Sequence, residues 1–174
     1  KYKYEDIHNW SIKNKDKFWN EIWKFTNIVG KIKKPIIKNS KDFINSIFFE
    51  KSKLNYSKNL LKRNDKGESI IFISENEERR SLTWRELSNN VGKISLFLKD
   101  NKILKGDRIA AVLPNIPETI VSFLGVAQIG AIWSSCSCDF GPKAIVDRFQ
   151  QIKPKVLIIF YFYYYNNKKI NTLS

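Results

Sequence analysis

The chain contains no methionine, and its one histidine is His8. A histidine general base is therefore available at a single position near the N-terminus, which argues against Ser-His-Asp hydrolysis. The first residue is lysine, so position 1 is not a native initiator and the sequence reads as a piece of a longer one. Cysteine is nearly as scarce. Cys136 and Cys138 are one residue apart, too close for an ordinary stapling disulfide, and no third cysteine is present. Both are expected to be small buried hydrophobes in a reducing compartment. With His8 far off in sequence, the roughly four ligands of a structural zinc site are not at hand, so no metal site is expected.

Long hydrophobic runs are missing too. The opening Lys-Tyr-Lys-Tyr-Glu-Asp leads into no apolar core of a secretory signal. The longest apolar run, residues 156–165, is about half of the roughly 20 residues that a membrane helix needs. A cytoplasmic location is the expectation. Arginine supplies only six of the 31 cationic side chains behind the net charge of +14. Base readout and phosphate clamping favour its planar fork. Lysine dispersed among asparagine and isoleucine reads instead as AT-rich codon usage. What is plentiful is apolar surface, 43% of residues over 174, enough to bury the core of about one domain.

Aromatic and apolar residues at helical spacing (Ile7, Trp10; Phe18, Trp19, Ile22, Trp23) predict two amphipathic helices over 4–15 and 16–29, the second stopping at Gly30. Trp10, Trp19 and Trp23 are read as packing anchors. Residues 31–53 show no sustained period and read as an ordered connector. A short helix over 55–62 and a turn at 64–67 follow, then strands at 69–74 and 80–82. Thr83 and Glu86 have capping-box spacing at the head of a helix striped by Leu87, Val91, Ile94 and Leu98. Beyond it come a strand at 108–113, a helix opened by Pro117 and closed at Gly130, a strand at 131–134, a helix over 143–152, and a strand at 155–160.

Alternating strands and helices, with strands apolar on both faces, predict an α/β fold with a parallel sheet covered by helices. Function in such folds sits at the carboxyl ends of the strands. Here those ends are Pro114-Asn115, residues 134–139 and whatever follows Phe160. Gly125 and Gly130 have the spacing of a phosphate loop, but Ala131-Ile132 stands where Lys-Ser/Thr is needed, and the segment reads as mid-helix. Ser134, Ser135 and Ser137 have hydroxyls to orient a ligand, and Asp139 has a carboxylate for a ribose or for a turn. Turn capping is the simpler job for Asp139, and core packing for Trp133.

Residues 131–141, with Trp133-Ser134-Ser135-Cys136-Ser137 and Asp139-Phe140-Gly141, are the specific part of a resemblance that spans nearly the whole chain. His8-Asn9-Trp10-Ser11, Phe18-Trp19, Leu54-Asn55-Tyr56-Ser57, Leu82-Thr83-Trp84-Arg85-Glu86-Leu87, Gly106-Asp107-Arg108, Leu113-Pro114-Asn115 and Asp147-Arg148-Phe149 carry the rest. Together they resemble the acyl-adenylate-forming ligases, in the branch that activates acetoacetate. The resemblance implies a helical leader over 1–64, then the first β-α-β units of the large AMP-binding domain, incomplete, over 65–174.

It implies ATP, Mg2+ and CoA as cofactors. Acetoacetate becomes an acyl-adenylate with loss of pyrophosphate, and the CoA thiol then displaces AMP. The family's phosphate loop, Mg-binding Glu, ribose Asp and adenylation Lys lie beyond residue 174 on this alignment, so no catalytic residue and no metal ligand is assigned and the chain alone is expected to be inactive. Trp133, Ser134, Ser135 and Asp139 are the substrate-side candidates. Past Leu157 the chain departs from the family's polar stretch. Tyr164 stands for an arginine and Asn167 for a glycine, which leaves Lys168 as the CoA-side candidate. Expected partners are the small-molecule substrates and the remaining C-terminal part of the enzyme, with no nucleic acid and no membrane. The alternative is a non-catalytic basic module that holds anionic lipid or nucleic acid through its charge and residues 160–165.

Overall fold

In the computed structural model, which describes residues 3–172, the chain divides into two compact units, Lys1–Asn55 and Tyr56–Ser174. The first unit opens with α1 (Tyr4–Lys13) and α2 (Lys15–Phe25). Helix α2 stops short of the expected Gly30. Asn27 takes a left-handed φ of 51°, its N–H donates to the Lys24 carbonyl at 2.9 Å, and Ile28 N–H donates to the Trp23 carbonyl at 3.2 Å. That pair of reversed bonds is a Schellman ending, which asparagine supports almost as well as glycine. The expected connector contains two small antiparallel ribbons. Strand β1 (Gly30–Lys31) and strand β2 (Ile37–Lys38) are followed by β3 (Ile47–Phe48) and β4 (Lys53–Leu54), paired β1 with β4 and β2 with β3. Two-residue pairings are too short to print a period in the sequence. Two of the three tryptophans pack within this unit, Trp23 buried against Phe49 with centroids 5.0 Å apart and Trp19 edge-on to Phe48 at 5.3 Å, whereas Trp10 is exposed.

The second unit begins with α3 (Tyr56–Leu60) and an antiparallel hairpin of β5 (Glu68–Ile73) and β6 (Arg79–Thr83). These two strands pair with each other and stand apart from the parallel sheet, a difference from the plain strand-helix succession read in the sequence. Helix α4 (Trp84–Asp100) starts where the capping box predicts. Thr83 Oγ1 accepts from Glu86 N–H at 3.2 Å, and Thr83 N–H donates to the Glu86 carboxylate at 2.8 Å.

Strand β7 (Arg108–Val112), helix α5 (Pro117–Gln128), strand β8 (Ile132–Cys136), helix α6 (Pro142–Phe149) and strand β9 (Val156–Ile159) form the parallel layer. Its order is β8-β7-β9, with Ile109 paired to both Trp133 and Val156. The chain steps from β7 to one neighbour and then back across to the other. Two right-handed crossovers in opposite directions place their helices on opposite faces. The packing follows: Ile109, Trp133, Val156 and Ile158 meet Leu98 of α4 and Val126 of α5, while Ala110, Val112 and Cys136 meet Ile145 and Phe149 of α6. A final hairpin, β10 (Phe162–Tyr165) and β11 (Lys168–Asn171), turns through Asn166 and Asn167, both at positive φ.

Helices α4 and α5 approach closely because Gly125 has no side chain. A Cβ there would lie 2.5 Å from Ile94 Cγ2 and 2.7 Å from Ile94 Cβ. Buried Ser95 ties the same contact, its hydroxyl lying 3.1 Å from the Gly125 carbonyl and 2.8 Å from Gln128 Oε1. Gly130, at φ +76°, ends α5 in a second Schellman motif, with its N–H on the Ala127 carbonyl and Ala131 N–H on the Val126 carbonyl.

At the amino end of the sheet, Asp107 accepts from Leu104 N–H at 2.7 Å and from Lys155 Nζ at 2.8 Å, joining the starts of β7 and β9. The Lys155 ammonium, then the Leu104 amide, hold its carboxyl below the ordinary aspartate value.

Two outcomes follow from these contacts. Gly125→Val should lower stability by about 1–3 kcal/mol in chemical denaturation, and the loss in a Gly125→Val/Ile94→Ala double variant should be smaller than the sum of the single losses. Because its native pKa is depressed, Asp107 contributes stability that is complete above about pH 4 and disappears as pH falls through the native value. Thermal melts between neutral and acid pH should therefore show a shallower acid-side decline for Asp107→Asn than for the parent chain.

Candidate functional site

Adjacent parallel strands whose loops depart to opposite faces leave a crevice at their carboxyl ends. Strands β7 and β8 are such a pair, since β7 feeds α5 and β8 feeds α6 on the other face. On the β7 side, residues 113–116 turn tightly into α5. Thr119 Oγ1 donates to the Pro114 carbonyl at 2.6 Å, leaving Pro114 half-buried and Asn115 exposed. Pro117 is the first residue of α5, as expected, with Glu118 in its first turn. Glu118 has a second task that the sequence did not reveal. Arg80 of β6 donates to both its carboxylate oxygens, at 2.9 and 3.2 Å, and lies 5.1 Å above the Phe72 ring. The clamp fixes the hairpin against the head of α5, and the Glu118 hydrogen bond holds the Arg80 pKa above its ordinary value.

On the β8 side the pleat separates the sequence candidates. Trp133 and Ser135 share one face: the indole N–H donates to Ser135 Oγ at 3.1 Å, and the ring meets Phe123 of α5 edge-on at 6.0 Å. Trp133 thus belongs to the core beneath the crevice. Ser134 is half-buried on the opposite face, Ser135 and Ser137 are exposed, and Asp139 is exposed with no side-chain hydrogen bond among the described residues. The turn beyond β8 is closed by the Phe140 N–H on the Ser137 carbonyl at 3.5 Å, so Asp139 is not its cap. Cys136 and Cys138 interleave with these positions and point inward, packed with Val112 and Phe149. Burial raises both thiol pKa values, that of Cys138 to about 11, with the neighbouring Cys136 and Asp139 adding to the latter.

The carboxyl ends of β7 and β9 open onto a cleft of ≈ 540 Å³ between the β5-β6 hairpin and the β10-β11 hairpin, with Arg80, Asn115, Phe160, Phe162 and Tyr164 in its wall. Asn167 N–H donates to the Glu75 carboxylate at 3.0 Å and links the two hairpins. Lys168 begins β11 opposite Tyr165 and is exposed, without a hydrogen bond or ion pair to Trp133, Ser134, Ser135 or Asp139. Tyr163, by contrast, packs on the Cys136-Cys138 cluster, and its burial there raises the phenol pKa. The structure therefore gathers four candidates on β8 and the loop after it, divides them between two faces, and carries Lys168 on a separate hairpin. Two features were missed in the sequence. The Asn166-Asn167 pair between two short β-prone runs is a hairpin signal, whereas nothing local marks Arg80 as the partner of Glu118, 38 positions away.

The residues present do not fit the phosphates of ATP at the glycine pair. Gly125 is buried inside α5 against Ile94, and Gly130 spends its N–H on the helix end. At the β8 end Ser135, Ser137 and Asp139 are exposed polar groups, and the Lys168 ammonium forms no ion pair among the described residues.

A parallel sheet of order β8-β7-β9 with helices on both faces defines the class as a doubly wound α/β domain. The family of AMP-binding enzymes matches residues 61–173, more than half of the chain, and the chain belongs to that family. It is 38% identical over 156 residues to an acetoacetyl-coenzyme A synthetase of Rhizobium meliloti (strain 1021), covering 90% of this chain and 24% of that protein. Against the acetoacetyl-CoA synthetase of Rattus norvegicus it is 35% identical over 158 residues, 88% of this chain and 24% of the relative. The solved acetoacetyl-CoA synthetase from Streptomyces lividans superposes with a TM-score of 0.88 at 29% identity, over 99% of this chain and 28% of that one. The chain thus spans about a quarter of the length of the relatives it matches.

Thiol chemistry tests the inward placement of the cysteines. At about pH 8 both should react with a disulfide reagent at least tenfold more slowly in the native chain than in denaturant, because burial and a raised pKa reduce access and thiolate together. Equal rates would place the thiols outside the core.

Proposed function

We propose that the chain is the N-terminal part of an acetoacetate-CoA ligase. The observation that carries this reading is the likeness to acetoacetyl-CoA synthetases along almost the entire chain, not only over the family's shared sheet. In the intact enzyme, a carboxylate oxygen of acetoacetate attacks the α-phosphorus of MgATP and expels pyrophosphate. The CoA sulfur then attacks the acyl carbonyl, and AMP leaves with the former carboxylate oxygen. Residues 1–64 are the leader of acetyl-CoA synthetase type and 65–174 the start of the AMP-binding domain. The location proposed is the cytoplasm. No helix among the described residues is long and apolar enough to cross a membrane.

The part played by this segment is scaffolding and orientation. Trp133 supports the β8 end from below. Ser134, Ser135 and Asp139 present hydrogen-bonding groups on the substrate side, and Lys168 offers an ammonium on the CoA side. None of these side chains performs phosphoryl or acyl transfer. The partner that completes the site is the remaining C-terminal part of the enzyme, which brings the ATP-binding and adenylating groups, so the chain alone is inactive.

A coupled pyrophosphate assay with acetoacetate, MgATP and CoA tests this. The purified chain should release no pyrophosphate above a no-acetoacetate blank. Acetoacetate-dependent release at about 1 s⁻¹ or faster, the ordinary enzymatic range, would show that it holds a complete site of its own.

A further inference from the structure

The turn between β2 and β3 holds two large apolar side chains almost wholly in water: Phe43 is 95% exposed and Ile44 is 90% exposed. Their exposure is built in. The Asp42 carboxylate accepts from the N–H groups of Ile44 and Asn45 and from Asn45 Nδ2, at 3.2, 3.3 and 2.6 Å. Ser46 Oγ donates back to the Asp42 carbonyl at 2.6 Å. The loop spends its polar groups on itself and leaves Phe43 and Ile44 at its tip.

Immediately behind the tip, the chain meets the joint between α1 and α2. Lys15 Nζ donates to the Ser40 carbonyl at 3.1 Å, and Lys13, Lys15, Lys17 and Lys41 line one open cleft of ≈ 500 Å³. Asp16 is the one carboxylate in that lining, and none of the four ammonium groups forms an ion pair among the described residues. Four lysines against one carboxylate, beside an apolar tip, are complementary to a surface that offers negative charge outside and hydrocarbon within. A free phosphate would match the lysines and leave Phe43 and Ile44 in water. A neutral apolar groove on another protein would take the tip and leave the lysines uncompensated.

We propose that the β2-β3 turn and the adjoining lysine cleft form a peripheral contact for an anionic phospholipid surface, with Phe43 and Ile44 entering the headgroup-acyl boundary and Lys13, Lys15, Lys17 and Lys41 holding lipid phosphates. This contact is independent of the ligase reading. It departs from the sequence expectation of no membrane partner, and it lies elsewhere than residues 160–165, where Lys169 covers Phe162 at 4.0 Å and Tyr163 packs in the core.

Cosedimentation of the full chain with phosphatidylcholine vesicles, with and without about 30% phosphatidylglycerol, tests the proposal. The expected result is binding to the anionic vesicles only, lost when salt is raised from roughly 0.05 to 0.5 M, since screening weakens exposed charges over such a range. Phe43→Ser/Ile44→Ser and, separately, Lys15→Glu/Lys41→Glu should each reduce vesicle affinity by about tenfold or more, the scale expected when apolar insertion or two surface cations are lost. Equal melting temperatures of the Phe43/Ile44 variant and the parent would keep the comparison clean, as these side chains make almost no buried contact. Tripolyphosphate in a separate titration distinguishes the sources. Binding of tripolyphosphate without vesicle binding would overturn the proposal, as would vesicle binding that survives both pairs of substitutions or ignores phosphatidylglycerol. Failure to bind any vesicle, as when another protein segment is the tip's true cover, would overturn it too.

Discussion

Strand β7 has no side for water. Ile109, Ala110, Ala111 and Val112 are buried in succession, so both pleats of the strand must be covered and a helix is required on each face. The pairing of β8 and β9 to its two edges, the placement of α5 and α6 on opposite faces, and the crevice at the carboxyl end are consequences of that double burial combined with right-handed crossovers. Each large side chain removed from water here contributes roughly 1.5–3 kcal/mol, and β7 supplies fully buried residues to the core clusters on both sides of the sheet. A charged residue anywhere in the four would be stripped of water against apolar neighbours on either face.

Polar contacts act at the two ends of that layer. At the amino end, Asp107 gathers Leu104 and Lys155 so that β7 and β9 begin together. At the carboxyl end, the Arg80-Glu118 clamp and the Asn167-Glu75 bond hold hairpins that pair with no strand of the parallel sheet. These are solvated interactions that water screens, so each contributes little to stability. The two contacts at the carboxyl end set the walls of the cleft between the hairpins, whereas burial supplies the stability.

The elements with a strong local signal were legible. Thr83 with Glu86, Pro117, and the stripe Leu87-Val91-Ile94-Leu98 encode their helices in a few adjacent residues, because capping and amphipathicity are satisfied within the helix itself. Gly130 ends α5 as the sequence suggested, yet Asn27 rather than Gly30 ends α2, since two residue types tolerate the left-handed region and spacing does not rank them. The ribbons within 31–53 escaped notice because each pairs only two residues. The candidate site was legible in outline: the motif through Ser134 and Asp139 does fall at a strand's carboxyl end. The division of its side chains between two faces was not, because strand β8 runs to Cys136 rather than ending at Ser134, and pleat alternation then decides which hydroxyl faces which way.

By itself the sequence determined the succession of helices and strands from α3 to β9 and the membership of the AMP-binding family, for both are written in short-range pattern and motif. Tertiary structure decided which strands share a sheet. Periodicity reports that β5 and β7 are both apolar strands, but not that β5 pairs only with β6 while β7 joins β8 and β9. It also decided the company of Arg80, of Asp107 and of Phe43 and Ile44, whose roles depend on groups brought close in space. Hydrogen bonds and ion pairs act over a few ångströms, and separation along the chain carries no record of that distance.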